Sequence, residues 1–71
     1  MTPSEIKQAR QTLGLSVSQM GAMLDIHDAR TYRAYEAPET AAMHRKPPAR
    51  MLRLIRAYLD GYRPSDWPED H

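Results

Sequence analysis

The sequence contains no cysteine, and no stretch of it is long and apolar enough to span a membrane. The absence of cysteine excludes disulfides and zinc sites built on thiolates, and it is compatible with a reducing compartment. A membrane span requires about 18 or more apolar residues in a row. The N-terminal segment MTPSEIKQAR has neither the basic part nor the apolar part of a secretory signal peptide. We therefore expect a soluble protein that is located in the cytoplasm and has no membrane partner.

The residue patterns of enzyme active sites are also missing. There is no glycine-rich phosphate loop, no pair of carboxylates at catalytic spacing and no serine with a base in a nucleophilic pattern. The three histidines, His27, His44 and His71, are far apart and lack carboxylate or thiol companions at the spacing of metal ligands. We therefore expect no enzyme activity, no metal site and no cofactor.

The chain has 71 residues, which is enough for one small domain and too few for two. A domain of this size buries only about 60% of the surface that its unfolded chain exposes. Its single core rarely contributes more than about 3–5 kcal/mol of stability without a staple or a partner. Because disulfides are excluded, self-association is the expected supplement.

Charge is distributed unevenly along a chain whose formal net charge is only +1. Residues 1–28 carry a net charge of −1, residues 29–59 carry +5 and residues 60–71 carry −3. The middle segment holds seven lysines and arginines against two glutamates. A concentrated basic segment is typical of a surface that lies along a polyanion. A solvated arginine-rich surface would account for the same charge.

Local start and stop signals divide the chain into helices. Residues 2–5 and 16–19 each have the capping-box pattern that begins a helix. Asp28 is the expected N-cap of a third helix, and Pro48 suits the first turn of a fourth. These signals and the glycines that follow predict helices over about residues 3–13, 17–24, 29–36 and 48–60.

Apolar residues recur at helical spacing within these segments, so each helix has an apolar side that can pack in a core. In the first helix this pattern leaves Arg10 in solvent. In the third helix Tyr32 and Tyr35 lie three residues apart and face inward. Gly21, inside the second helix, costs about 1 kcal/mol relative to alanine, which indicates a close crossing with another helix.

Residues 37–46 show no clear periodicity and are predicted to form a loop, with one helical turn possible at residues 40–43. The expected fold class is therefore all-α, a compact bundle of four to five short helices. Residues 1–61 form the predicted domain. A short acidic tail follows over residues 62–71.

The second and third helices are joined by a short connection, and the third begins with small and basic residues. This is the layout of a helix-turn-helix, whose second helix enters the DNA major groove with its N-terminal side chains toward base edges. The segments that carry it are Leu13-Gly14-Leu15-Ser16, Met20-Gly21 with Leu24, Asp28-Ala29-Arg30-Thr31-Tyr32-Arg33-Ala34-Tyr35-Glu36 and Arg45-Lys46-Pro47. Together they resemble the Cro/repressor (XRE-type) helix-turn-helix family over residues 4–36, with a weaker match through residue 59. Asp25 stands where this family commonly has a turn glycine.

The resemblance implies a sequence-specific, double-stranded DNA-binding transcriptional repressor. It implies a homodimer on an inverted-repeat (palindromic) operator, with the two recognition helices about 34 Å apart, and control of the protein's own gene is plausible. Some small regulators of this kind are phage-encoded or anti-CRISPR-associated, and others are antitoxins.

Two alternatives remain open at this point. An antitoxin-like protein-interaction module would use its acidic tail to clamp a partner protein, with DNA binding secondary. RNA binding ranks lower, because it calls for stacking aromatics on the basic face, whereas Tyr32 and Tyr35 are expected inside.

Candidate base contacts lie on the third helix. Arginine pairs bidentately with O6 and N7 of guanine, which makes Arg30 the first candidate and Arg33, one turn later, the second. Thr31 can meet a thymine methyl group or a phosphate, while Ala29 and Ala34 admit a close approach of the helix. The alternative for both arginines is an ordinary solvated helix surface.

Candidate phosphate contacts are Arg45, Lys46 and Arg50, which flank the start of the fourth helix, where free backbone amides also favour an anion. Ser16 and Gln19 at the start of the second helix are further candidates. Ordinary helix capping explains those two residues equally well.

A dimer interface is predicted from Met51, Leu54, Tyr58 and Trp67. The fourth helix has two apolar faces, which is more than docking within one subunit needs, and Trp67 requires a surface on which to pack. The alternative is that the tail folds back on its own subunit.

Overall fold

The computed structural model describes residues 1–68, which form four helices and no strand. The helices are α1 (Pro3–Thr12), α2 (Val17–Met23), α3 (Ala29–Glu36) and α4 (Ala49–Leu59). The predicted all-α class is confirmed, and each helix begins and ends within one residue of its predicted bounds. Residues 40–43 form turns and a bend instead of a helix. The predictions that concern residues 69–71, namely His71 and the end of the tail, lie outside the described residues.

Side-chain caps determine where three of the helices begin. The Glu5 N–H donates to Thr2 Oγ1 at 3.2 Å, and the Thr2 N–H donates to Glu5 Oε1 at 2.7 Å. Ser16 and Gln19 form the same reciprocal pair at α2, at 2.9 and 3.1 Å. At α3 the Asp28 carboxylate accepts the N–H of the second helical residue at 2.9 Å. Each cap stabilises its helix by about 1 kcal/mol, and all three were predicted from local sequence.

The core is built from all four helices. Its five largest fully buried side chains are Ile6 of α1, Met20 of α2, Tyr32 of α3, and Ile55 and Tyr58 of α4. α3 packs against both α1 and α2, and α4 packs against α1. The Tyr58 hydroxyl donates to the Met23 carbonyl at 3.1 Å, which joins α4 to the end of α2 and satisfies a polar group inside the core.

Arg10 lies in a part-buried network between α1 and α3, not in solvent as the sequence predicted. Its Nε donates to Glu36 Oε2 at 2.8 Å, and its guanidinium also donates to the Leu15 carbonyl at 3.0 Å. The Tyr32 hydroxyl donates to the same Glu36 oxygen. The carboxylate that draws Arg10 inward comes from 26 positions later in the chain, so the periodicity of α1 alone contains no sign of it.

The connection between α2 and α3, residues 24–28, fits closely against Gly21. A Cβ at Gly21 would lie 2.8 Å from the Ile26 carbonyl oxygen and 3.6 Å from Tyr32 Cβ. The tightest contact of this glycine is therefore with the connection, whereas the sequence predicted a neighbouring helix. Asp25 adopts φ +61°, the left-handed conformation that a turn glycine takes freely and that aspartate tolerates better than most residues.

The segment after α4 folds back on that helix. The Trp67 and Tyr58 rings meet edge-on with centroids 5.0 Å apart, and the Arg63 guanidinium lies 4.2 Å from the Trp67 ring centroid. Met51 and Tyr58 are 6% and 2% exposed, because their side chains fill the core of their own chain. The prediction that these two form a dimer interface is therefore wrong, and Trp67 follows the alternative in which the tail packs on its own subunit. Leu54, the remaining predicted interface residue, borders a surface cleft.

Candidate nucleic-acid interface

The first two turns of α3 present two arginines to solvent. Arg30 and Arg33 lie three positions apart, which places them as neighbours on the helix surface, and both are exposed. Neither forms an ion pair with another residue of the range 1–68, where the ion pair found joins Arg10 to Glu36. Their guanidinium groups therefore face solvent with their hydrogen-bond donors available.

The core contacts of α3 determine which of its sides faces outward. Tyr32 is fully buried, and Glu36, one turn later, is held by Arg10. At 3.6 residues per turn, Arg33 lies about 100° and Arg30 about 160° around the helix from Tyr32. The buried tyrosine and the ion pair thus hold both arginines away from the core.

The other predicted base contacts of α3 differ in their exposure. Ala29 and Thr31 are half-buried, and the Thr31 hydroxyl donates to Asp28 Oδ2 at 3.4 Å. Ala34 is only 5% exposed, so its predicted base contact is wrong. The next segment lies against this part of α3, since its Arg45 N–H donates to the Ala34 carbonyl at 3.1 Å.

The segment after α3 carries two further cations. Arg45 is attached to α3 by its backbone, and the neighbouring ring nitrogen His44 Nδ1 lies 3.1 Å from the Ala37 carbonyl oxygen. Arg45 and Lys46 are both exposed. This anchoring brings two predicted phosphate contacts beside the helix that carries the predicted base contacts. We call the set the basic surface, and its members are Arg30, Arg33, Arg45 and Lys46.

The remaining predicted phosphate contacts are Arg50, Ser16 and Gln19. Arg50, in the first turn of α4, borders a cleft that is also lined by Tyr35. Tyr35 projects from the opposite side of α3, about 140–160° around the helix from the two exposed arginines. Ser16 and Gln19 exchange their side-chain hydrogen bonds with the backbone of α2, which is the capping role that was the alternative interpretation.

The network of Arg10, Glu36 and Tyr32 fixes the rotation of α3. Burial raises the pKa of the Tyr32 hydroxyl, and the Glu36 carboxylate that accepts its hydrogen bond raises that pKa further. The hydrogen bond to the same carboxylate raises the pKa of Arg10. Tyr32 therefore stays a neutral donor and Arg10 a cation. Sequence reasoning missed this network, because Arg10 and Glu36 each look like surface residues within their own helix.

Other kinds of site are not assembled in the described part of the chain. Among residues 1–68, no group of three or more histidines and acidic side chains comes together in a way that could hold a metal ion. No helix in that range is long and apolar enough to cross a membrane.

Comparison with known proteins adds no assignment. No family model matches the chain, and no curated protein or solved structure is significantly similar to it. The resemblance to the Cro/repressor family therefore rests on the residue motifs alone.

Proposed function

We propose that this protein is a helix-turn-helix regulator of the Cro/repressor (XRE-type) kind that binds double-stranded DNA sequence-specifically. In this proposal α2, residues 24–28 and α3 form the helix-turn-helix, and α3 enters the major groove. The observation that carries the proposal is the pair Arg30 and Arg33. Both are exposed on a short capped helix whose Tyr32 is buried in the core, and neither is paired within residues 1–68.

Each cation of the basic surface has a distinct role in this proposal. Arg30 pairs with O6 and N7 of a guanine, a contact worth about 1–3 kcal/mol of discrimination. Arg33 contacts the next base or a flanking phosphate. Arg45 and Lys46 contact phosphates, which set the register of the protein on the duplex without reading its sequence.

The biological activity we propose is repression by a homodimer in the cytoplasm. A dimer matches an inverted repeat when its two α3 helices lie about 34 Å apart. Leu52 is half-buried and Leu59 is 41% exposed, and these α4 side chains are the ones we propose to meet a second copy. Binding over a promoter excludes polymerase sterically and needs no cofactor, and the protein's own promoter is the first target to test.

Fluorescence anisotropy with the full chain tests the DNA-binding proposal. The probes are a duplex selected from a random pool, the DNA upstream of the protein's own gene, and a shuffled duplex of the same composition as the selected one. We expect the selected duplex to bind at least about 10³-fold more tightly than the shuffled one and to saturate at two subunits per site.

A matched pair of variants connects the result to the basic surface. Arg30→Ala/Arg33→Ala should lose the preference for the selected duplex, while Arg56→Ala, at an exposed residue of α4 that belongs to neither the basic surface nor the cleft, should keep it. Equal affinity for selected and shuffled duplexes contradicts sequence-specific recognition. Absence of binding to any duplex at low salt contradicts the DNA-binding function itself.

A further inference from the structure

A cleft of about 750 Å³ lies between the connection after α2 and the outer side of α4. On the α4 side, its lining runs from Pro48, just before the helix, to Tyr62, just beyond its end. At about 1.5 Å per residue, the 11 residues of α4 extend over about 16 Å. The cleft is therefore an elongated groove that is long enough for about three turns of a helix.

The floor of this groove is apolar. Leu24 and Ile26 contribute to it from the connection, Tyr35 from α3 and Leu54 from α4. All four side chains pack against the core and are half-buried, so each also offers surface to the groove. An aromatic ring beside aliphatic side chains along an elongated groove is the kind of surface on which an amphipathic helix buries its apolar face.

The rim of the groove along α4 is basic. Arg50 and Arg53 lie three positions apart on that helix, both are exposed, and neither is ion-paired to another residue of the range 1–68. Asp25 is the acidic residue among the lining side chains and belongs to the other wall. Two guanidinium groups thus border the groove against one carboxylate. This charge balance favours an occupant that carries acidic residues next to its apolar side.

We infer that this groove binds an acidic amphipathic helix of a partner protein. The apolar stripe of that helix lies on the floor formed by Leu24, Tyr35 and Leu54, and its carboxylates pair with Arg50 and Arg53. A second copy of this chain is a poorer occupant, because two grooves facing each other bring four guanidinium groups against two carboxylates. A DNA duplex is a poorer occupant, because its phosphates leave the apolar floor uncovered.

The groove and the basic surface lie on opposite sides of α3, since Tyr35 projects about 140–160° away from Arg30 and Arg33. A helix in the groove therefore leaves both arginines accessible. The inference goes beyond DNA binding and does not depend on it. If both hold, the protein joins a partner protein to a DNA site through two separate surfaces of one small fold.

Fluorescence anisotropy with the full chain and labelled synthetic peptides tests the inference. The probe is a peptide of about 14 residues, or roughly four helical turns, with leucines at positions i, i+3, i+4 and i+7 and glutamates predominating elsewhere. One control peptide has the same composition in scrambled order, and a second has lysines in place of the glutamates. We expect the ordered acidic peptide to bind at least about tenfold more tightly than either control.

Variants of the rim and the floor assign the binding to the groove. Arg50→Glu/Arg53→Glu should weaken binding of the acidic peptide about tenfold or more and should acquire binding of the lysine peptide. Arg56→Glu makes the same change at an exposed residue of α4 outside the groove and should retain the original affinity. Leu54→Gln should weaken binding of the acidic peptide, with circular dichroism used to verify that the variant is folded.

Several results would overturn the inference. Equal binding of ordered and scrambled peptides would show that no amphipathic helix is recognised, and failure of the charge reversal to confer binding of the lysine peptide would show that the arginines do not contact the occupant. Sedimentation velocity tests whether the groove holds a second copy instead. A dimer that dissociates in the groove variants, and that the acidic peptide does not disrupt, would assign the groove to a second copy. Loss of binding to the selected duplex in Arg50→Glu/Arg53→Glu, with no peptide bound by the unmodified protein, would assign these arginines to DNA.

Discussion

At the residue scale, Arg10 and Arg30 show how neighbouring groups decide what an arginine does. The Arg10 guanidinium is held by the Glu36 carboxylate and the Leu15 carbonyl, so it stabilises the packing of α1 on α3. The acidic group near Arg30 is Asp28, and its carboxylate accepts the Arg30 backbone N–H at 2.9 Å. Capping thus engages that carboxylate with the backbone of α3, and the Arg30 side chain extends into solvent.

Removal of the Arg30 side chain should therefore change recognition and leave folding intact. We expect Arg30→Ala to cost about 1–3 kcal/mol of binding free energy on the selected duplex and to relax the sequence preference at one operator position. The measurement is anisotropy against duplexes that each differ from the selected one by a single base pair. A loss of the same size on every duplex, random ones included, would make Arg30 a phosphate contact instead.

Tyr32 gives a second prediction at this scale, which concerns stability at alkaline pH. An unfolded tyrosine loses its proton near pH 10, and in the folded protein burial and the Glu36 carboxylate raise the pKa of Tyr32 above that value. The folded state therefore keeps a proton that the unfolded state releases. The stability linked to this hydroxyl is fully present below about pH 10 and is lost as the pH rises further.

Urea unfolding between about pH 8 and 11 measures this effect, since it covers both sides of the ordinary tyrosine pKa. Tyr32→Phe should lower stability at neutral pH, because the hydroxyl no longer donates to Glu36, and should also reduce the decline above pH 10. Tyr62→Phe is the control, because this ring is 52% exposed, and it should show the same decline as the unmodified protein. If the stability of Tyr32→Phe declines above pH 10 as steeply as that of the unmodified protein, this hydroxyl does not cause the loss of stability at alkaline pH.

At the element scale, the connection between α2 and α3 is held against α2 by backbone contacts with Gly21. The Ile26 N–H donates to the Gly21 carbonyl at 2.7 Å, and a Cβ at Gly21 would lie 2.8 Å from the Ile26 carbonyl oxygen. Real Cβ atoms essentially never come this close, so a side chain at this position must push the connection outward. The angle at which α3 leaves α2, and with it the direction of the basic surface, depends on this glycine.

Gly21→Ala should consequently destabilise the protein, although alanine is the better helix former. Helix propensity favours alanine by about 1 kcal/mol, whereas an overpacked contact typically costs about 1–3 kcal/mol, so we expect a net loss of up to about 2 kcal/mol in urea unfolding. Ala22→Gly is the control, because Ala22 is exposed in the same helix and should lose only about 1 kcal/mol through propensity. A more stable Gly21→Ala protein would contradict the role given to this contact.

The helices could be predicted from the sequence because their signals are local. Each capping pattern lies within four residues, so Thr2, Ser16 and Asp28 locate the helix starts without knowledge of the fold. The burial of Ala34 could not be predicted in this way. The Ala34 carbonyl accepts a hydrogen bond from Arg45, and Arg45 lies in a segment whose lack of periodicity gives no sign of this contact.

The candidate site could likewise be predicted only where its features depend on local sequence. Arg30 and Arg33 are exposed, as the helical pattern of α3 indicates. The Arg10–Glu36 pair and the contact of Trp67 with Tyr58 join residues of different segments. Judged from its own segment alone, each of these side chains could equally well face solvent or another subunit. Tertiary packing determines such pairings, and the periodicity of a single helix gives no information about them.

At the scale of the whole molecule, the seven cations of residues 29–59 divide between different surfaces. Arg30, Arg33, Arg45 and Lys46 form the basic surface, Arg50 and Arg53 border the groove, and Arg56 is exposed outside both. The linear sequence shows these cations as one basic segment. The path of residues 37–48 and the orientation of α4 place these cations on different surfaces. Because the sequence shows neither, Arg50 was predicted to be a phosphate contact.

This division can be measured through the salt dependence of DNA binding. Each phosphate neutralised by the protein contributes about −0.9 to the slope of log K against log salt concentration. Lys46→Ala should therefore reduce the magnitude of the slope by about 1 and weaken binding almost uniformly across sequences. Arg53→Ala removes an equal charge from the groove and should leave the slope unchanged, because the groove and the basic surface lie on opposite sides of α3. If Lys46→Ala leaves the slope unchanged, Lys46 is not a phosphate contact, and if Arg53→Ala reduces it, the groove lies within reach of the DNA backbone.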